Sequence, residues 1–210
     1  METYATEEQQ VEQIKRFWNE HGKSLVVGLL VGLGGIFGWQ SWQEYQQNMG
    51  ERASLQYLQL LSVVQSSADQ EAITIGSQIV TEYGKTPYAA LAQLLLAKVK
   101  VGQGDLEGAK GDLQWVVDNA SQVDLPFIAR SRLARIQLDE GKFDAALTTL
   151  TVPIPVAFNA LYEELKGDVY AAKGEMEQAG RAYAAAREAG SSSSFLQLKL
   201  DDLGLPVAAK

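Results

Sequence analysis

The chain has 210 residues, enough for one well-buried domain and a small additional element. Hydrophobic residues form 46% and charged residues 21% of it, which excludes wholesale disorder and a polytopic membrane protein. The formal net charge of -8 argues against a nucleic-acid partner, because phosphate groups need a basic face. With no cysteine and one histidine, His21, the chain is expected to hold no catalytic site, no cofactor and no metal ion.

The first predicted element is a membrane-spanning helix. Residues 24–43 contain no charged side chain, and twenty helical residues cover roughly the 30 Å hydrocarbon core of a bilayer. Trp39 and Trp42 fit an interfacial aromatic belt, and no signal-peptide cleavage pattern follows the apolar run. A buried core helix and a cleaved signal peptide are the alternatives. We predict a tail over residues 1–23 and an uncleaved span over residues 24–43.

Flanking cations predict the orientation of this span. Three of them, Lys15, Arg16 and Lys23, precede it. In the twenty residues that follow it, Arg52 is the one cation. Because Lys and Arg are retained on the cytoplasmic side, the sequence predicts a cytoplasmic N-terminus and export of residues 44–210. In a Gram-negative cell, that domain would be periplasmic and anchored in the inner membrane.

Glycines within the span predict close approach of another transmembrane helix. Two pairs of them have the small-xxx-small spacing that permits such packing, and leucine would suit a simple anchor better. Chance spacing in a glycine-rich segment is the alternative. The glycines proposed for helix packing are Gly28, Gly32, Gly34, Gly35 and Gly38.

The remainder of the chain predicts an all-α repeat, because apolar residues recur at helical spacing between short glycine-containing breaks. One motif, in which Gly and Ala enclose a hydrophobic and an acidic residue, occurs three times, at residues 104–109, 141–146 and 174–179. Its period is typical of helix-turn-helix units of about 34 residues. The repeat-defining residues are Gly104, Ala109, Gly141, Ala146, Gly174 and Ala179. Small residues precede each motif glycine by seven positions and large ones follow it by nine, namely Ala97, Ala134 and Gly167, and Leu113, Leu150 and Tyr183.

Turn signals group these repeats into four helix pairs and a capping helix. The pairs lie near residues 51–84, 88–120, 126–152 and 158–190, and the cap near residues 195–203. The first pair matches the motif clearly only at Ala72. The predicted fold is all-α, with one N-terminal transmembrane helix followed by a tetratricopeptide-like α-solenoid that binds a peptide or a partner helix. Residues 1–43 carry -2 of the total charge of -8, and the remaining -6 predicts an acidic binding face.

Three segments resemble the YfgM family of ancillary translocon proteins: residues 11–23 with the glycine-rich span that follows, residues 132–136 and residues 144–147. The resemblance implies an inner-membrane protein with a periplasmic repeat domain that associates with the SecYEG translocon. It further implies three partners: a PpiD-like periplasmic chaperone, exported client proteins and an RcsB-type cytosolic regulator. The implied function is non-enzymatic assistance to chaperones that handle newly exported proteins, with a role in envelope-stress regulation.

Several residues allow a functional interpretation beside a structural one. Adjacent helical residues point about 100° apart, so neither Glu163 with Glu164 nor the acidic pair at 201–202 is expected to form a catalytic dyad. His21 is expected to be an interfacial side chain. Four aromatic residues could line a groove but fall where repeat packing needs a bulky filler, namely Trp115, Phe143, Tyr170 and Tyr183. The alternative functions are a periplasmic hydrolase and a scaffold for envelope or division complexes.

Overall fold

The computed structural model describes residues 7–203. Residues 1–6 of the expected cytoplasmic tail and residues 204–210 of the expected periplasmic domain lie outside the described residues. All regular structure between residues 7 and 203 is helical, without a β-strand, and the all-α prediction is confirmed. The chain divides into two compact units, Met1–Met49 and Gly50–Lys210.

Nine α-helices occur within the described range. They are α1 (Glu7–Gln65), α2 (Asp69–Tyr83), α3 (Pro87–Gly102), α4 (Leu106–Asn119), α5 (Leu125–Asp139), α6 (Phe143–Leu150), α7 (Asn159–Lys173), α8 (Met176–Glu188) and α9 (Leu196–Asp202). A short 3-10 helix, Val156–Phe158, precedes α7. From α2 onward, each helix packs against the next one along the chain, and α5 also packs against α7. This sequential packing is the arrangement of a helical repeat.

Turns of one backbone geometry join the two helices of each pair. The motif glycines Gly104, Gly141 and Gly174 have φ of +81°, +73° and +84°, and Ser67, between α1 and α2, has φ of +57°. At every one of these turns the N–H of the following residue donates to the carbonyl oxygen five residues earlier, over 2.8 to 3.3 Å. This is the bond of a Schellman motif, which satisfies a free carbonyl at the helix end. Ser67 therefore occupies the place that glycine has in the later pairs.

Replacing Ser67 by glycine is expected to stabilise the repeat domain by about 1 kcal/mol, because a side chain disfavours the left-handed conformation. Thermal unfolding of the full chain in detergent, followed by far-UV circular dichroism, measures the change. Ser62→Gly, at an exposed position inside α1, is the matched control and should destabilise by roughly 0.5 kcal/mol. A Ser67→Gly chain that melts no higher than wild type would contradict the strain assigned to this turn.

The core is distributed along the repeat rather than gathered in one centre. The motif alanines Ala109, Ala146 and Ala179 are each 0% exposed, and so is Ala72 of the first pair. Each belongs to a different apolar cluster, and the clusters draw on successive helices. Each helix pair thus completes its core with residues of the next pair, as a solenoid requires.

The first unit consists of a solvent-exposed helical segment. Of its residues whose burial is described between positions 10 and 48, all except Gly22 are exposed, and Val31 and Phe37 are 70% and 64% exposed. Within residues 7–203 no single helix is long and apolar enough for a membrane span. One pair of helical segments bent by 45°, Gln10–Ser24 with Val26–Gln65, meets the requirement by length and composition. The span over residues 24–43 stays a prediction.

Candidate functional site

Two adjoining cavities lie along the first helices of the later pairs. The α3–α5 groove, of about 250 Å³, is lined by Ala97, Lys98, Val101, Leu113, Arg132, Arg135, Ile136 and Asp139. The α7–α9 pocket, of about 500 Å³, is lined on its polar side by Arg135, Glu164, Asp168, Ser191, Ser193 and Lys199. Arg135 lines both cavities. A continuous surface therefore runs from α3 across α5 to α7 and α9.

The α3–α5 groove combines an apolar floor with a cationic rim. Ala97, Leu113 and Ile136 are buried beneath it. Lys98 and the two arginines of α5 are exposed around it. The guanidinium Nη1 of Arg132 donates to the backbone carbonyl oxygen of Leu94 on α3, over 3.2 Å, which fixes that side chain at the groove.

The charge of this groove differs from the sequence-based expectation. Three cations line it against one carboxylate, that of Asp139. The predicted acidic binding face is therefore wrong for the α3–α5 groove. The net charge of a domain does not fix the distribution of its charges, and many carboxylates of this domain lie on other helices.

The charged groups of the α7–α9 pocket are paired with one another. The Nζ of Lys199 on α9 lies 2.9 Å from Oε1 of Glu164 and 2.7 Å from Oδ1 of Asp168 on α7. The hydroxyls of Ser191 and Ser193 donate to Glu164 over 3.1 and 2.9 Å. This network joins the last helix and the loop before it to α7.

The same network shifts the pKa of its groups. Burial opposes the charged form of Glu164, but hydrogen bonds from Lys199 and from the two serines outweigh it and hold the pKa of the carboxyl below its ordinary 4.5. Burial first, and then the hydrogen bond that the Tyr183 hydroxyl donates to Asp168 over 2.8 Å, raise the pKa of Tyr183. Glu164 is therefore ionised and Tyr183 neutral near pH 7.

Replacing Glu164 by glutamine is expected to lower the Tm at pH 7. The loss in the free energy of unfolding should be at most about 1 kcal/mol, because the pair of Glu164 with Lys199 is partly solvated. A carboxyl with a lowered folded-state pKa stabilises the fold above its unfolded pKa, and the contribution is lost as the pH falls through the folded pKa. The difference from wild type should therefore narrow below pH 4.5. Melting curves between pH 3 and pH 7 measure it. A difference that is constant across this range would contradict the assigned role.

The four aromatic residues considered as groove candidates lie mainly among the packed side chains of the apolar clusters. Tyr183 is buried, and Trp115, Phe143 and Tyr170 are half-buried against the apolar clusters. Trp115 also lines a separate cavity beside Thr86 and Ser121. The predicted role of these aromatic residues as fillers agrees with these positions.

The other polar candidates do not converge on a common point. Glu163 pairs with Lys166 on its own helix over 2.7 Å, while Glu164 faces Lys199. Asp201 accepts a hydrogen bond from Gln197, and the ring of His21 stacks on Phe17 with centroids 4.9 Å apart. No three potential metal ligands cluster within residues 7–203.

The glycines of the predicted span lie in open surroundings. A Cβ atom added at Gly28, Gly32, Gly34, Gly35 or Gly38 would meet no heavy atom within 4 Å. Their role in packing against another helix stays a prediction, as does the definition of the repeats by their glycine and alanine pairs.

Sequence reasoning missed the rim of the α3–α5 groove. Arg132 and Arg135 are three residues apart and so share one face of α5. This pairing could have been predicted from the sequence. Lys98 comes from a different helix, and its place beside them depends on how α3, α4 and α5 pack together.

Sequence comparison places this architecture among known proteins. The family described as Tetratricopeptide repeat-like domain matches residues 15–205. A protein of Escherichia coli named Ancillary SecYEG translocon subunit is 33% identical over 208 residues, covering 98% of this chain and 100% of that protein. Proteins of the same name from Haemophilus influenzae and Neisseria gonorrhoeae are 34% and 30% identical over at least 94% of this chain and 97% of their own. No solved structure matches significantly.

Successive helix pairs with shared cores, next to a continuous grooved surface, define a non-enzymatic helical-repeat protein of the class that binds other proteins. Within that class, the chain belongs to the tetratricopeptide repeat-like family of ancillary SecYEG translocon subunits. The resemblance to the YfgM family seen in the sequence is thereby confirmed.

Proposed function

We propose that this chain is a membrane-anchored protein-interaction module that serves the SecYEG translocon as an ancillary subunit. The observation that carries the proposal is the alignment with the Escherichia coli relative, which includes all of that protein and 98% of this chain. The alignment therefore includes the uncharged segment over residues 24–43 as well as the repeat domain, and the relative bears the name Ancillary SecYEG translocon subunit.

The two units suit different parts of this role. The uncharged segment over residues 24–43 is the proposed inner-membrane anchor, with residues 1–23 in the cytoplasm and residues 44–210 in the periplasm. The grooved repeat surface is the proposed site for a PpiD-like chaperone and for exported client proteins. The cytoplasmic tail is the proposed contact for an RcsB-type regulator of envelope stress.

Photo-crosslinking in membranes tests the proposal. Crosslinking side chains at Val31 and Phe37, both exposed in the first unit, should give adducts with a subunit of the SecYEG channel. The same group at Val156, which is 83% exposed on the repeat domain, is the matched control and should favour periplasmic proteins. Adducts from the apolar helix with a division or outer-membrane protein would favour the scaffold function instead.

The orientation in the membrane is expected to be N-in and C-out, because three cations precede the span and Arg52 alone follows closely. A reporter enzyme active only outside the cytoplasm, fused after residue 210, should be active. The distribution of cations can be reversed by replacing Lys15, Arg16 and Lys23 with glutamine and adding lysines after residue 43. This reversal should reduce the activity of the reporter. Activity of a cytoplasmic reporter alone at this position would overturn the orientation.

A further inference from the structure

We propose that the α3–α5 groove binds an extended segment of a partner protein in which apolar side chains alternate with Asp or Glu. The proposal rests on the proposed function of the repeat domain as an interaction module, and it adds the chemistry of the segment that the domain selects. Three features carry it: cations without carboxylate partners, an arginine fixed at the groove and an apolar floor.

The cations of this groove differ from most lysines of the domain. Six lysines of unit 2 lie within 4.0 Å of a carboxylate oxygen, namely Lys100, Lys110, Lys142, Lys166, Lys173 and Lys199. Within residues 7–203, by contrast, neither Lys98 nor Arg135 lies that close to a carboxylate. In a chain with a net charge of -8, two such cations beside a third at one groove are positioned to receive carboxylates from outside.

The guanidinium of Arg132 is positioned before any ligand arrives. One of its N–H groups bonds to the carbonyl oxygen of Leu94. A guanidinium has five N–H donors in a fixed plane, so the remaining donors are available to a carboxylate. Because this bond already holds one of the three rim cations in place, less ordering of the rim is needed on binding.

The apolar floor indicates what accompanies the carboxylates. Val101 is 43% exposed beside the buried Ala97, Leu113 and Ile136. The methylene stems of the lysine and arginine side chains add apolar area at the rim. A cavity of about 250 Å³ holds one or two side chains but not an α-helix, which is about 10 Å across. An extended segment that inserts an apolar side chain between acidic ones fits this space.

The neighbouring pocket gives the segment a path beyond Arg135. Glu164 and Asp168 would repel an acidic segment, but Lys199 pairs with both of them and Arg135 lines the same pocket, so two cations balance the two carboxylates. A basic segment would have to face three cations in the groove and would find one carboxylate there, that of Asp139. The surface therefore selects acidic over basic segments.

Fluorescence anisotropy with the full chain in neutral detergent tests the proposal. The probe is a labelled eight-residue peptide of alternating Leu and Glu, amidated at its C-terminus so that Glu supplies all its carboxylates. Peptides with Gln or Lys in place of Glu are the comparison. We expect the Glu peptide to bind roughly fivefold or more tightly than the Gln peptide, with a preference that weakens at high salt.

Two double variants locate the site. Lys98→Gln with Arg135→Gln should weaken binding of the Glu peptide roughly fivefold. Lys85→Gln with Arg187→Gln, at exposed positions before α3 and on α8, removes the same charge and should leave binding unchanged. Circular dichroism should show unaltered melting for both, because all four side chains are exposed.

Equal binding by wild type and by the Lys98 and Arg135 variant would overturn the proposal. A preference for the Gln or the Lys peptide would overturn it too. Neither result affects crosslinking of the apolar helix to the SecYEG channel, so failure of this proposal is distinguishable from failure of the proposed function.

Discussion

Replacing Gly167 by alanine is expected to destabilise the repeat domain by about 2 kcal/mol or more, because one methyl group has no room at this helix crossing. An added Cβ would lie 3.0 Å from Cγ of Tyr183 and closer still to Cδ1 and Cε1 of the same ring. Within the helix, alanine is otherwise preferred over glycine by about 1 kcal/mol, so the overpacking has to exceed that gain.

The ring of Tyr183 is not free to move away from the added methyl group. It is 3% exposed, and its hydroxyl donates to Asp168, the residue that follows Gly167 on α7. The ammonium group of Lys199 also lies over the Tyr183 ring, 5.6 Å from its centroid. Because the ring is held at its edge and packed around its faces, the backbones of α7 and α8 have to separate instead.

Gly111→Ala is the matched control for this substitution. Gly111 lies inside α4, is exposed, and has no heavy atom within 4 Å of an added Cβ. This change is expected to raise stability by about 1 kcal/mol through helix propensity alone. Thermal unfolding of the full chain in detergent measures both. If Gly167→Ala matched Gly111→Ala in sign, the crossing of α7 and α8 would not be as close as described.

The sequence predicts this crossing in outline and not in detail. The motif places a small residue seven positions before each turn glycine and a large one nine after it, and Gly167 and Tyr183 satisfy both positions. The bond of Tyr183 to Asp168 is not predictable in this way, because it depends on the rotation of α8 against α7. The all-α repeat fold follows from periodicity and turn glycines, which are local signals.

Two features of the structure were not predicted from the sequence, because no local sequence pattern indicates them. The first turn has Ser67 in a left-handed conformation that glycine marks in the later pairs, so a search for glycine finds the first pair only weakly. The cationic rim joins Lys98 of α3 to two arginines of α5, more than thirty residues along the chain. The net charge of the domain predicted an acidic face instead of this cationic groove, because a net charge sums over surfaces that the fold separates.

Replacing Gly28 and Gly32 by leucine is expected to keep the chain in the membrane and to reduce its co-purification with the SecYEG channel about tenfold. Leucine suits lipid at least as well as glycine, so the anchor is retained. Both positions are open in the first unit, and the added side chains would occupy the surface on which we propose that a second helix packs closely. A loss of about 1.4 kcal/mol in association lowers the binding constant tenfold.

Val26→Leu with Leu30→Phe is the matched control, because it enlarges two exposed side chains on the opposite side of the same helix from Gly28 and Gly32. Affinity capture of the tagged full chain from detergent-solubilised membranes, with quantification of the channel subunits, compares the two variants. Normal capture by the Gly28 and Gly32 variant would show that the glycines do not face the channel.

Deleting Gly50–Lys210 separates the two roles that the proposed function gives to the two units. The remaining helix keeps the uncharged segment over residues 24–43 and its flanking cations, so it should still be captured with the channel. Capture of periplasmic partners should be lost, because the α3–α5 groove and the rest of the repeat surface are gone. If the deletion abolished channel capture while the leucine variant kept it, the repeat domain would hold the translocon and the apolar helix would serve as an anchor only.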